Sequence, residues 1–202
     1  MRAAIISVPS RGDYLNNIHN IITNEDVDLK VYMDYEKKGH WFNYFRMFKE
    51  MLEGAKKDEP ILLLDDDMIT IKGWRKYWEA IHEKANNDLY VFYSSQKHLF
   101  KEDNINRGYI TKVQPRGFYT CAGIFINQQD LPSKVMEWFE RKGKYILNKH
   151  RQTHLDVVIQ EYLIDANKSW TITTPTLFEH IGYNSVLGHK WEKGSSLYIG
   201  NL

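Results

Sequence analysis

The sequence predicts an α/β fold: a single domain with a mostly parallel central sheet flanked by helices. Two observations carry this. Through the first half of the chain, short apolar runs of strand character alternate with longer stretches whose apolar residues recur every three or four positions. That order implies right-handed crossovers and a parallel sheet. The second observation is Ile61-Leu62-Leu63-Leu64, four apolar residues in a row, as expected of a strand buried on both faces.

Taken in order, Ala3 to Val8 forms the first strand, and Pro9-Ser10-Arg11-Gly12-Asp13 breaks it. Leu15, Ile18, Ile21 and Ile22 mark a helix, and Asp28 to Asp34 alternates as a second strand. Trp41, Tyr44, Phe45, Phe48, Leu52 and Ala55 make one helical stripe, with Asn43, Arg46 and Glu50 on another, exposed face. Helix positions resume at Trp74, Tyr77, Trp78, Ile81 and Ala85, and Leu89 to Ser95 is the fourth strand. Residues 96–116 are polar and read as a long loop. Gly117 to Asn127 reads as a strand whose small Ala122 and Gly123 admit either a ligand or a neighbouring backbone. Leu131 to Arg141 and the stretch opened by Asp156 read as helices, and Trp170 to Thr174 as a short strand. The segment from Pro175 to Ser185 is aperiodic, and residues 191–202 form a tail.

Immediately after the apolar strand stand Asp65-Asp66-Asp67, with no basic residue between them. In an extended chain Asp65 and Asp67 share a face and Asp66 points the other way. Like charges this close repel, and a bound divalent cation is the simplest remedy. The carboxyl ends of strands in open α/β sheets are also where ligands sit. The competing explanation is an acidic turn capping the next helix.

Composition narrows the classes. With 202 residues, 43% hydrophobic and 26% charged, the chain is long enough for one good core. A net charge of +1 gives no global field toward nucleic acid or membrane, so any basic patch is local. The densest is 141–151, which holds Arg141, Lys142, Lys144, Lys149 and Arg151 and no acid; it reads as a solvated helix end or as a seat for an anionic acceptor. A lone Cys121 rules out an intrachain disulfide and fits a reducing compartment. The apolar run at the N-terminus is too short for a signal peptide, and no window approaches the roughly 20 apolar residues of a membrane span, so a cytoplasmic protein with no membrane partner is expected. Nothing in the sequence marks an oligomeric state.

Ile61 to Asp67 resembles the Asp-x-Asp signature of GT-A fold glycosyltransferases, placed at the third strand of a nucleotide-binding half. Pro175-Thr176-Leu177-Phe178-Glu179-His180-Ile181-Gly182 is similar to the segment that supplies a metal-binding histidine in several such enzymes. Ala122-Gly123 and then Leu155-Asp156 match the middle of that pattern, a small-residue strand beside the sugar followed by an acidic helix start, although the Glu-Asp pair often found there is Leu-Asp here. The resemblance implies a GT-A-like single domain, with 1–95 as the nucleotide-sugar half, 96–190 as the acceptor and catalytic half and 191–202 as tail. It implies a nucleotide-sugar donor, usually a UDP-sugar, and Mn²⁺ or Mg²⁺ as cofactor. Small enzymes of this type in bacteriophages decorate hydroxymethylated pyrimidines in DNA, and the chain is similar to those; DNA is then the expected acceptor and the host cytoplasm the expected location.

On that resemblance the metal ligands are Asp65, Asp67 and His180, and a histidine ligand favours Mn²⁺. The donor is expected to meet Pro9, Ser10, Arg11, Asp34, Asn43, Arg46, Asp65, Asp66, Ala122 and Gly123, with Asp34 accepting from the uracil N–H and Arg46 forking onto the diphosphate. Asp156 is the expected base for the acceptor hydroxyl, or else a helix cap. Lys142, Lys144 and Arg151 are the candidate acceptor contacts. Two other functions compete. Residues 61–70 also resemble the start of haloacid-dehalogenase phosphohydrolases, although no adjacent Asp pair occurs after residue 67. A non-catalytic sugar- or nucleic-acid-binding module would use the aromatic residues and the basic run.

Overall fold

A computed structural model describes residues 1–38, 40–94, 102–112, 122–126, 134, 136–142 and 155–181. Its strands are β1 (Arg2–Ser7), β2 (Asp28–Met33), β3 (Pro60–Asp65), β4 (Met68–Thr70), β5 (Leu89–Val91), β6 (Tyr109–Lys112), β7 (Ala122–Ile126), β8 (Trp170–Thr173) and β9 (Phe178–His180). The helices are α1 (Gly12–Thr23), α2 (His40–Glu53), α3 (Trp74–Ala85), α4 (Glu102–Arg107), α5 (136–142) and α6 (Leu155–Asp165), with a 3₁₀ turn at Pro9–Arg11. None of the described helices is long and apolar enough to cross a membrane.

Seven strands form the main sheet in the order β2-β1-β3-β7-β5-β8-β6. Five run one way, and β7 and β6 run against them. Strand alternation divides the core in two. Ala3, Ile5, Leu62 and Leu64 face α1 and α3, with Ile18, Ile22, Trp74 and Trp78. Ala4, Ile6, Ile61 and Leu63 face α2 and α6, with Met47, Phe48, Val158 and Tyr162. The four-residue apolar run is therefore buried on both faces, as its pattern requires. On the first face Trp74 is fully buried, its ring 5.2 Å from Phe178 and 5.9 Å from Phe92. The two helices of that face are tied at their ends: the Glu25 carboxylate accepts from the Gly73 N–H, and Arg75 Nη1 donates to the Glu25 carbonyl at 3.1 Å. Gly73 has φ +86°, a left-handed conformation that favours glycine.

Antiparallel β7 separates β3 from β5 in the sheet. Two expectations change. The polar stretch 96–116 contains α4 and β6, and β6 pairs with β8 to form one sheet edge. The aperiodic segment after Pro175 contains β9, which pairs antiparallel with β4 in a small second sheet. Strands of three or four residues are too short to show a period of two, so their existence depends on partners distant in sequence.

At Gly123 a neighbouring backbone comes close. A Cβ there would stand 2.9 Å from the Tyr90 backbone oxygen, so it is the neighbouring strand that needs the missing side chain. Backbone cannot yield as a flexible side chain does. Gly123→Ala is therefore expected to destabilise the fold by about 1–3 kcal/mol in denaturant titration; an unchanged unfolding midpoint would show that β5 and β7 separate without cost.

Candidate active site

Strand β3 ends at Asp65, and the chain turns through Asp66 and Asp67 before β4 begins. The turn ends the alternation that puts Asp65 and Asp67 on one face, so each carboxylate acquires its own surroundings. Asp65 continues the face of Ile61 and Leu63, and the Tyr44 hydroxyl of α2 donates to its Oδ1. Asp66 belongs to the opposite face. There Ser7, the last residue of β1, donates from Oγ to Asp66 Oδ2 at 2.5 Å. Asp67 meets Arg11 Nη2 and, at 3.2 Å from Oδ2, His180 Nε2.

Two local features bring the cations in. Directly after β1 the 3₁₀ turn Pro9–Arg11 closes with an Arg11 N–H to Val8 carbonyl bond of 3.0 Å. Arg11 is thereby set at the sheet end, with its Nε 3.1 Å from Asp66 Oδ1 and its guanidinium 4.9 Å from the Tyr14 ring centre. His180 arrives through the β4–β9 register, which pairs it with Met68, the residue after Asp67. The Ile181 N–H then donates to the Asp67 carbonyl at 2.9 Å. The Tyr93 ring lies 5.9 Å from the imidazole.

The electrostatics follow from burial against pairing. Asp66 and Asp67 are 4% and 3% exposed. Burial pushes the Asp66 carboxyl up to about 6, against the pull of Ser7 and Arg11. Burial also disfavours the His180 imidazolium, but its hydrogen bond to Asp67 and the charges of Asp67 and Asp65 outweigh this and hold it above the ordinary histidine value. Arg11 is likewise held above its usual value: burial opposes the charge, and the three aspartates more than restore it.

Asp67 and His180, two of the three expected metal ligands, are in contact. Among the described residues no group of three or more acidic, histidine or cysteine side chains is gathered as a metal cage. Asp65 directs one oxygen at Tyr44, and Arg11 fills the side of the cluster shared by Asp66 and Asp67. One observation fits a cation: Asp67 Oδ1 is buried and has no hydrogen-bond partner among the described residues. Such an oxygen is costly unless something positive meets it.

The remaining expected residues divide. Pro9 and Ser10 are exposed beside Arg11. Asp34 follows β2 at the same sheet end; its N–H donates to the Ser7 carbonyl at 3.0 Å, and its Oδ1 accepts from the Lys38 N–H at 2.9 Å. Asn43 is buried rather than exposed, and its amide donates to the Tyr32 carbonyl at 2.8 Å. Arg46 is exposed and clasps Asn43 Oδ1 at 2.8 Å, so this pair fastens α2 to the edge strand. The sequence pattern placed Asn43 on an outer face because a polar residue one position before a tyrosine in the stripe carries no sign of its buried carbonyl partner. Ala122 and Gly123 lie inside the sheet, and Ala122 accepts from the Phe92 N–H at 3.0 Å. Asp156 stands in the first turn of α6, with Oδ1 accepting from the Val157 N–H at 2.8 Å. Lys142 is ion-paired with Asp165, which also accepts from Trp138 Nε1 at 2.8 Å. Lys144 and Arg151 lie outside the described residues. Ser7, Tyr44 and Tyr93 are the site residues that sequence reasoning missed. Tyr44 reads as core from its stripe, and only the position of Ser7 at a strand end beside the triple was available as a signal.

The Asp66 environment sets a pH dependence. Its carboxyl takes a proton near 6 in the fold against an ordinary 3.8. Its contribution to stability is complete below about pH 4 and is lost as pH rises to about 6, because the unfolded chain ionises first. The loss amounts to roughly 3 kcal/mol. In Asp66→Asn that loss is absent, so the stability of the variant relative to the parent should rise between pH 4 and pH 7 in denaturant titrations. Parallel curves would refute the assignment.

No protein-family model and no curated protein matches the sequence. Solved structures align with the chain at low identity. Residues 1–349 of TarS from S. aureus align with a TM-score of 0.50 at 14% identity, over 86% of this chain and 57% of that one. The galactosyltransferase LgtC, solved with donor and acceptor sugar analogues, aligns at 0.45 and 10% identity over 81% and 70%. The glycosyltransferase GlyE of Streptococcus pneumoniae aligns at 0.43 and 9% over 81% and 43%. This chain thus spans a little over half the length of the TarS fragment. The fold is α/β and GT-A-like, a mixed, mostly parallel sheet flanked by helices.

Proposed function

We propose that the chain is a metal-dependent glycosyltransferase that moves a sugar from a nucleotide-sugar, most simply a UDP-sugar, to a hydroxyl acceptor. One observation carries this reading: Asp67, just past the end of β3 in a GT-A-like sheet, has a buried oxygen without a hydrogen-bond partner among the described residues and a histidine brought to its other oxygen by the β4–β9 pairing. Asp67 and His180 would hold a Mn²⁺ or Mg²⁺ ion, with Asp65 joining them or accepting a ribose hydroxyl. Such an ion supplies Lewis-acid stabilisation of a diphosphate leaving group. The protein's own part is positional. Tyr44 keeps one Asp65 oxygen occupied and orients the other. Ser7 and Arg11 hold Asp66 as a buried strut beneath the site. Asp34, Pro9 and Ser10 border the nucleotide at the ends of β1 and β2. Asp156 takes the acceptor proton, and the sugar carbon inverts. The phosphohydrolase and pure-binding alternatives differ in product: release of inorganic phosphate in the first, no turnover in the second.

The first test is thermal stabilisation by a panel of nucleotide-sugars with and without Mn²⁺. A donor at 100-fold over its Kd adds about 2.7 kcal/mol, or about 5–10 °C in Tm for a chain of this size. Asp67→Ala, or EDTA, should abolish the shift; the same shift under both removes the cation from the reading. The second is Asp156→Asn, expected to lower transfer by about 10²–10⁴-fold while donor binding is kept; near-parental turnover assigns the proton to another group. A DNA acceptor is the finer form of the proposal and is supported by the resemblance to small phage enzymes and by the 141–151 run. If it holds, replacing Lys142, Lys144 and Arg151 by Ala should weaken DNA binding and flatten its salt dependence. Unchanged affinity and slope would leave the run a solvated helix end.

A further inference from the structure

We infer that Arg11 is the site's resident counter-ion, and that it couples cation binding to donor binding by leaving Asp67 when the diphosphate arrives. The inference rests on the glycosyltransferase reading and concerns how that site is loaded. Its basis is geometric. Arg11 does not point into open solvent as a waiting phosphate ligand would; its side chain is 11% exposed and wedged between two carboxylates and the Tyr14 ring. Its Nη2 is on the same Asp67 oxygen that His180 Nε2 approaches at 3.2 Å. That oxygen and Asp67 Oδ1, which has no hydrogen-bond partner among the described residues, are the two atoms a divalent ion would use.

A guanidinium and a divalent cation repel at contact distance, and the buried setting screens that repulsion poorly. The two therefore compete for Asp67. A diphosphate changes the balance, because it offers the guanidinium a bidentate anion at least as good as the carboxylates it leaves. Arg11 stands on the turn directly after β1, at the sheet end where Asp34 and Ser7 also lie, so a diphosphate bound at that end would be met by a pivot of the side chain. Cation and nucleotide should then each strengthen the other's binding, with Arg11 as the link. Linkage makes that effect reciprocal.

The test is Mn²⁺ titration by calorimetry, without and with UDP, on the parent, Arg11→Met and Arg11→Lys. The expected result is at least ten-fold tighter Mn²⁺ binding by Arg11→Met without UDP, a smaller gain in Arg11→Lys, and a loss in both of much of the enhancement that UDP gives the parent. Arg11→Met leaves two buried carboxylates underpaired. If it does not fold, Arg11→Lys decides, together with the Arg11 Nε–H resonance of the unmodified protein, which should move when Mg²⁺ and UDP are added together. Equal or weaker Mn²⁺ affinity in the folded variants, with UDP enhancement intact, overturns the inference and leaves the glycosyltransferase reading standing. Absence of Mn²⁺ binding in parent and variants alike, even with UDP, overturns both.

Discussion

Three consecutive carboxylates at the end of one buried strand have to be neutralised. Two unit charges 4 Å apart interact by roughly 4 kcal/mol at a surface-like dielectric, and two of these three side chains are nearly inaccessible to water. The fold answers by giving each aspartate a partner from a different layer. Asp65 takes a hydroxyl from α2, Asp66 takes one from β1, and Asp67 takes a histidine from β9, while Arg11 binds the last two together. No single neighbour could serve all three, because the strand sends Asp65 and Asp66 to opposite faces and the chain then turns.

That requirement explains features that look unrelated in the sequence. The short β4 exists because it pairs with β9, and the pairing register sets His180 next to Asp67. The β4–β9 pair is closed by Thr70 Oγ1, which donates to the Leu177 carbonyl at 2.7 Å, and is fastened beside the end of β5 by the Phe178 N–H, which donates to the Phe92 carbonyl at 3.1 Å. Trp74, Phe92 and Phe178 pack beneath it. Among the described residues the aromatic side chains are largely core and support. Trp74, Trp78 and Trp170 are all fully or nearly fully buried.

Charge is local in the same way. A chain with net charge +1 concentrates three acids, an arginine and a histidine within one cluster at the carboxyl ends of β1 and β3. Elsewhere among the described residues, several cations are engaged in structural pairs: Lys142 with Asp165, Lys30 with Glu50, and Arg75 with Glu79 and the α1 terminus. Exposed pairs of this kind contribute little, whereas removing one member of the buried cluster leaves an uncompensated charge at a cost of about 3–5 kcal/mol.

Local pattern by itself determined the α/β class, the order of the first three strands and three helices, and the position of the acidic cluster, because a period of two or of 3.6 and a doubly buried apolar run are properties of neighbouring residues. The strand-end position singled out Arg11 and the family resemblance singled out His180, while the structure shows both as cations on the cluster. Tertiary structure alone decided that β7 separates β3 from β5, that Gly123 is small for the Tyr90 carbonyl, and that Asn43 faces inward to an edge-strand carbonyl. It also decided which hydroxyl serves which aspartate. Strand order, register and the partner of a buried polar group depend on segments tens of residues apart, and no window of sequence contains both members of such a pair.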